Sequence, residues 1–296
     1  MTFLADITRQ RRLPNEQTVE PAAAHLRHSA MDWTTISGEP RKLVFAPYLA
    51  RDTFALPTPR YREGYNPQRH DRYWWNGLAD ALRLGERWER MPAAKDRTGP
   101  TRYLDLGCST GRVLRHAHLQ GVFDRALGVD IDGSNVAWLA EHVPTVDAFQ
   151  NTILPHLPFE DASFDVVSAF SVFTHIDTME MSWLLELRRI LRPGGIAVVT
   201  IQNERSWERL NSRFHRVAER LVGTRTDKGS RITEADIGQP LEHDRLVALY
   251  SDDHINVSVF HSDDYVRSRW GRYWNVSGIH PAPNERLQDW VVLEKT

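Results

Sequence analysis

The sequence predicts an α/β chain built on a doubly wound, mostly parallel sheet, and three observations carry that expectation. Past Pro100, short apolar runs alternate with longer amphipathic stretches, the pattern of strands and crossover helices. One apolar run leads directly into a turn of small residues at Gly107 to Gly111. The next strand ends on a carboxylate, Asp130, about 20 residues further on.

The 296 residues suffice for one large domain or two small ones, with a core that needs no covalent staples. Lys and Arg number 37 against 39 Asp and Glu, a formal net charge of -2, so no nucleic-acid partner and no anionic membrane surface is expected. Cys108 is the one cysteine. It excludes an intramolecular disulfide and fits a reducing compartment, so a cytoplasmic location is expected. Arg9, Arg11 and Arg12 near the start have no apolar run behind them, so no export signal is expected. The longest apolar stretches, such as Ile196 to Ile201, are strand-length and fall far short of the ~20 residues of a spanning helix. No membrane insertion is expected.

Residues 1–45 are polar, with scattered prolines and no sustained period, and read as a loosely ordered arm. Residues 46–99 form an aromatic and basic cap segment, with Tyr61, Arg62, Tyr73, Trp74 and Trp75, leading into a helix near Asp71 to Trp88. The main domain occupies 100–296. Its predicted strands are Arg102 to Leu106, Arg125 to Val129, Val146 to Gln150, Phe164 to Ala169 and Ile196 to Ile201. Before the last of these, Trp183, Leu184, Leu187, Ile190 and Leu191 recur with a helical period, and Arg192-Pro193-Gly194-Gly195 stops the helix. An insertion over 203–255 contains an amphipathic helix from Glu204 to Val222, and long insertions of this kind commonly cover a site. Two final strands, near Val257 to Phe260 and Trp290 to Leu293, close the domain.

The passage Tyr103-Leu104-Asp105-Leu106-Gly107-Cys108-Ser109-Thr110-Gly111-Arg112 is a strand, a small-residue turn and a helix start. Glycines there accept unusual backbone angles, and free N–H groups of the helix start face a nucleotide-like ligand. Taken alone, the two glycines also suit a tight turn with no ligand. Asp130 adds a carboxylate where ribose hydroxyls are bound, while Asp132 better suits a helix cap. Asn151, after the third strand, can meet an adenine edge. A nicotinamide enzyme shares this layout, but its G-x-G-x-x-G is broken by Ser109, and lysines for a Tyr-x-x-x-Lys site are scarce between Thr101 and Gln202. Asp105 faces a cationic, amine-bearing ligand from the first strand.

On these residues the chain resembles the class I S-adenosylmethionine-dependent methyltransferases, whose D-x-G-x-G-x-G motif is matched by Asp105 to Gly111 with Ser109 in place of the middle glycine. The resemblance continues through Leu157-Pro158-Phe159-Glu160-Asp161, Ser171-Val172-Phe173-Thr174-His175 and Glu186 to Gly195, and returns at Gln288 to Leu293. It implies a Rossmann-like, seven-stranded sheet with the last strand antiparallel, and S-adenosyl-L-methionine as cofactor. It further implies cofactor contacts by Gly107, Cys108, Ser109, Gly111, Ile131, Phe170 and Ser171.

In-line methyl transfer asks chiefly for positioning and exclusion of water, with a base where the acceptor is a hydroxyl. His175, beyond the fourth strand, is the first candidate base or substrate ligand, the alternative being a histidine that orders its loop. His261 is the second, at the end of the expected sixth strand; otherwise it is a helix-start contact with Ser262 or Asp263 as cap. Arg62 is a candidate for the cofactor carboxylate, and the aromatic residues around it either line the site or pack. Ala169-Phe170-Ser171-Val172 lacks the Asn/Asp-Pro-Pro-Tyr/Phe pattern of nucleobase and glutamine-amide methylation. No metal site is expected. The resemblance points to bacterial enzymes with a small-molecule, sugar or glycan acceptor, and the rival reading is a binding protein that keeps the cofactor pocket without catalysis.

Overall fold

The computed structural model describes residues 17–62, 68–211, 214–241, 243–251, 256–281 and 286–296. The first 16 residues of the expected arm, and 212–213, 242 and 252–255 of the expected insertion, lie outside them. The N-terminal part contains strands β1 (Thr18–Val19), β2 (Ala30–Thr34), β3 (Pro40–Val44) and β4 (Leu56–Pro57), with helices α1 (Ala46–Leu49), α2 (His70–Glu89) and α3 (Pro92–Lys95). Then come β5 (Arg102–Leu106), α4 (Leu114–Leu119), β6 (Arg125–Asp130), α5 (Gly133–His142), β7 (Asp147–Gln150), β8 (Phe164–Ala169), α6 (Glu180–Ile190) and β9 (Leu191–Ile201). The remainder comprises α7 (Glu204–Glu208), α8 (His215–Leu221), β10 (Arg225–Thr226), β11 (Arg245–Leu249), β12 (Val257–His261), α9 (Asp263–Arg269), β13 (Asn275–His280) and β14 (Asp289–Glu294).

Seven strands form the central sheet in the order β13-β14-β9-β8-β5-β6-β7. β5 pairs in parallel with β6 and β8, and β8 with β9, whereas β14 is antiparallel to β9 and to β13. The period-2 alternation of a strand divides the core in two. Tyr103, Val166, Ile196, Val198 and Val292 face α2, α4 and α5. Leu104, Val167, Ala197, Val199 and Val291 face α6 through Trp183, Leu184, Leu187 and Ile190. Both faces of the sheet are covered, which is why its strands read as continuous apolar runs. α6 stops one residue earlier than expected, Leu191 being already extended, and Arg192 to Gly195 lie within β9, where Gly194 has φ +75° and a Cβ would press on Ala93 of α3.

Three expectations are corrected. The strand at Val257–His261 does not belong to the central sheet. It pairs antiparallel with β11, which pairs with β10, in a separate three-stranded sheet. The sixth strand of the central sheet is β13, whose polar alternation, Gly278 and bulge between Val276 and Gly278 weaken its apolar signal. The expected long helix from Glu204 is split into α7, a 3₁₀ turn at Arg209–Asn211 and α8. The described part of the arm is not loose: β2 and β3 form a hairpin whose Trp33 and Leu43 pack with Phe45, Leu56, Trp74 and Leu78.

The cap is fixed to the sheet domain by two devices. Gly77 of α2 lies so close to the chain after the glycine turn that a Cβ would overlap the Arg112 carbonyl oxygen. Arg115 and Asp52 form a fully buried ion pair, with N···O distances of 2.6 and 2.9 Å, and the Trp74 indole N–H donates to the same carboxylate at 2.7 Å. Among the described residues, no helix is long and apolar enough to cross a membrane, and no cluster of three or more His, Cys, Asp or Glu is arranged to hold a metal ion.

Candidate functional site

The site sits at the C-terminal edge of β5, β6, β7 and β8, where a parallel sheet leaves its strand ends open. After β5 the backbone takes positive φ at Gly107 (+71°), Ser109 (+49°) and Gly111 (+75°). A Cβ at Gly111 would come within 2.6 Å of Leu139, so the turn needs glycine for space as well as for conformation. Ser109, the departure from the glycine pattern, holds its left-handed backbone while its N–H donates to Asp130 Oδ2 at 2.7 Å. Asp130 Oδ1 accepts from the Asp132 N–H at 2.8 Å. Asp132 itself caps α5, as its sequence position suggests, by accepting from Ser134 N–H. Cys108 differs from expectation: its thiol turns into the core against Gly128, so only its backbone faces the turn.

Two carboxylates dominate the electrostatics. Asp105 is pushed up to about 6 by burial, despite the hydrogen bond it accepts from Ser168 Oγ at 2.7 Å. Ser168 spends its proton there, so the Tyr103 hydroxyl, 2.6 Å from Ser168 Oγ, is the donor in that contact. Asp130 is also raised, by burial and by the charge of Asp132, and its own charge disfavours ionisation of Asp105. A cationic ligand between them would relieve both.

The surrounding groups have complementary gaps. Asn151 donates its amide to the Thr152 carbonyl, while its buried Oδ1 has no partner. Ile131 is 55% exposed beside Asp130, an apolar surface open to a flat ring. Arg62 is buried to 2% exposure, yet among the described residues its Nε and Nη1 have no hydrogen-bond partner, and Nη2 donates to His70 Nδ1 at 2.8 Å. Burial lowers its pKa from the usual arginine value, as expected for a cation with no carboxylate beside it. Phe170 is half-buried against Trp290, with ring centroids 5.0 Å apart. Ser171 has φ +61°, and its N–H donates to Thr200 Oγ1 at 2.7 Å. Gln288 closes this loop by accepting from Thr200 and donating to Ser171 Oγ.

The two histidines fare differently. His175 is exposed, and its Nδ1 donates to the Val257 carbonyl oxygen at 2.8 Å. A carbonyl can only accept, so in the neutral ring Nε2 carries the lone pair and is available as a base. His261 is corrected: it is fully buried, and its Nε2 donates to Glu180 Oε2 at 2.7 Å. Glu180 also accepts from Arg245, Tyr265 and Trp270, and against the effect of burial His261, Arg245 and Trp270 hold its carboxyl down at about 2. His261 therefore ties the three-stranded sheet to the start of α6, with its ring engaged by Glu180. Ser262, its neighbour, caps α9.

Sequence reasoning missed Asp80 and His70, and named Tyr61 and Tyr73 only as residues that line the site or pack; the contacts of all four are long-range and carry no local pattern. Tyr73 and Tyr61 grip the glycine turn through Thr110. Asp80, held at about 2 by Arg286 and Arg112, fixes the residue that follows Gly111. His70 engages Arg62.

Residues 104–199 match the family model described as a methyltransferase domain. Over 100 residues the chain is 35% identical to a "Probable S-adenosylmethionine-dependent methyltransferase" of Mycolicibacterium smegmatis, covering 34% of this chain and 37% of that protein. Over 150 residues it is 27% identical to the sterol 24-C-methyltransferase erg6 of Schizosaccharomyces pombe, covering 48% of this chain and 39% of that one. The chain thus spans well under half the length of these curated relatives. Among solved structures, the PH0226 protein of Pyrococcus horikoshii OT3 superposes with a TM-score of 0.51 at 18% identity, over 80% of this chain and 96% of that one, and so shares the fold. The central sheet accordingly has the Rossmann-like order, and its segment 104–199 is similar to methyltransferase domains. The donor set fits S-adenosylmethionine: an acceptor without a partner among the described residues suits an adenine amine, a guanidinium likewise without one suits a carboxylate, and two raised carboxylates suit cationic and hydroxyl groups.

Proposed function

We propose that the protein transfers a methyl group from S-adenosylmethionine to a hydroxyl of a small molecule, sugar or glycan, with His175 as general base. The observation that carries this reading is the His175 tautomer. Its Nδ1–H is spent on Val257, which leaves an exposed, basic Nε2 in the loop that follows β8. When bound, the cofactor supplies an electrophilic methyl on a sulfonium with a good leaving group. As the methyl moved from sulfur to the acceptor oxygen, His175 Nε2 would take the proton that the hydroxyl loses.

The cofactor's ribose falls to Asp130, its adenine to Asn151 and Ile131, its ammonium to Asp105 and its carboxylate to Arg62. The turn at Gly107, Cys108, Ser109 and Gly111 supplies backbone for close approach, with Phe170 and Ser171 at the methyl-bearing end. A cytoplasmic site of action fits the buried, lone Cys108. Release of S-adenosylhomocysteine in the presence of a panel of sugar, phenolic and alcohol acceptors tests the reading. A hydroxyl acceptor turned over by the wild type, and about 10²-fold more slowly or worse by His175→Ala, supports it. Turnover only with amine or carboxylate acceptors would replace it.

A further inference from the structure

We infer that His70 is a positioning residue for cofactor binding: it holds the buried Arg62 guanidinium so that its free donors receive the cofactor's carboxylate. The inference rests on the cofactor reading given above and deepens it.

A buried arginine normally has a carboxylate partner, because an unpaired buried charge is costly. Arg115 of α4, fully buried, has Asp52 of the cap. Arg62 is nearly as deeply buried and, among the described residues, has instead a single hydrogen bond, from Nη2 to His70 Nδ1 at 2.8 Å. Its Nε and Nη1 are buried with no hydrogen-bond partner among the described residues. The Tyr73 ring lies beneath the guanidinium, with 5.5 Å between Cζ and the ring centroid. The side chain is therefore held on one edge and one face, with two donors left over.

Its location connects those donors to the site. The carbonyl of Tyr61, the residue before Arg62, accepts the Thr110 hydroxyl within the glycine turn at 2.7 Å. The cationic side chain is thus attached to the backbone that borders the ligand. A carboxylate placed there would satisfy both orphaned donors with charge-assisted bonds, and cancel the unpaired charge.

His70 can orient Arg62 only as an acceptor. Its Nδ1 must be unprotonated, which puts the ring hydrogen on Nε2. The groups facing it favour that state: Arg62 and His25, whose ring centroid is 4.6 Å away, both oppose a charge on His70, as does burial. Asp71 favours the charge, but its carboxylate is engaged by Arg69 at 2.7 and 2.9 Å. Protonation of His70 would break the bond to Arg62 and set two cations side by side.

The experiment compares two probes by calorimetry, S-adenosylhomocysteine, which has the amino-acid arm, and 5′-methylthioadenosine, which lacks it. His70→Ala is expected to weaken S-adenosylhomocysteine about tenfold and leave 5′-methylthioadenosine unchanged. His70→Asn, whose side-chain oxygen replaces Nδ1 as acceptor, is expected to restore most of the loss. Acidification from pH 7 to 5 is expected to narrow the wild-type preference for S-adenosylhomocysteine more than that of His70→Asn. Equal losses for both probes, or no loss in His70→Ala, would overturn the assignment while leaving the pocket intact. Failure of the wild type to bind either probe would overturn the cofactor reading itself.

Discussion

The Thr110 side chain donates its only hydroxyl proton to the Tyr61 carbonyl at 2.7 Å, and the single proton of the Tyr73 hydroxyl serves the Thr110 carbonyl oxygen at 3.2 Å and Thr110 Oγ1 at 3.0 Å. Cap and glycine turn therefore share one fully buried polar joint. Thr110→Val keeps the shape and removes the hydroxyl. It leaves the Tyr61 carbonyl unsatisfied and should cost about 1–3 kcal/mol in denaturant unfolding. Because Arg62 follows Tyr61, affinity for S-adenosylhomocysteine should fall as well. A variant with unchanged stability and affinity would contradict the coupling.

Asp130 receives two backbone N–H groups, from Ser109 and Asp132. Asp130→Ala therefore loosens the turn and removes the proposed ribose ligand together. Affinity for S-adenosylhomocysteine should drop tenfold or more, about 1.4 kcal/mol or beyond. Asp130→Asn, which retains one acceptor oxygen, should lose less. Titration of both variants checks the order.

The pH dependence of cofactor stabilisation follows from Asp105. Its folded pKa of about 6 lies above the ~3.9 of an unfolded aspartate. Between these values the native protein holds more protons than the unfolded chain, so stability falls as pH rises and then levels off above about 6. Asp130 is displaced in the same direction. A cationic ligand favours the ionised carboxylates, so S-adenosylmethionine should raise Tm more at pH 7 than at pH 5. Asp105→Asn should flatten that difference. Thermal melts with and without cofactor at the two pH values would show it, and a pH-independent shift in the wild type would contradict it.

The two histidines should separate stability from chemistry. His261→Ala removes a buried partner of Glu180 and should lower unfolding stability by about 2–4 kcal/mol, with little change in cofactor affinity. His175→Ala should leave the unfolding midpoint and cofactor affinity nearly unchanged and remove most turnover. Exchange of these phenotypes would contradict the placement of both residues.

The central fold was legible because its strands bury both faces: Arg102 to Leu106 and Phe164 to Ala169 read as continuous apolar runs and are observed with those bounds. The same signal misled at Val257, where a fully buried strand, Val257–His261, belongs to a second sheet while the weaker, bulged β13 completes the first. The glycine turn and Asp130 were legible because backbone angle and strand position fix their residue types locally. His261 was not: its partner Glu180 lies 81 positions away, and nothing in the sequence announces that pairing. The joint of Thr110 with Tyr61 and the grip of His70 on Arg62 are likewise tertiary, made when the cap docks on the sheet.

The measurement that tests the account most directly is calorimetric titration of the wild-type protein with S-adenosylhomocysteine and with NAD, beside Asp130→Ala. Micromolar, one-to-one binding of S-adenosylhomocysteine, weakened in Asp130→Ala and absent for NAD, is the expected result. No binding of S-adenosylhomocysteine, or preferential binding of NAD, would contradict the assignment of the site.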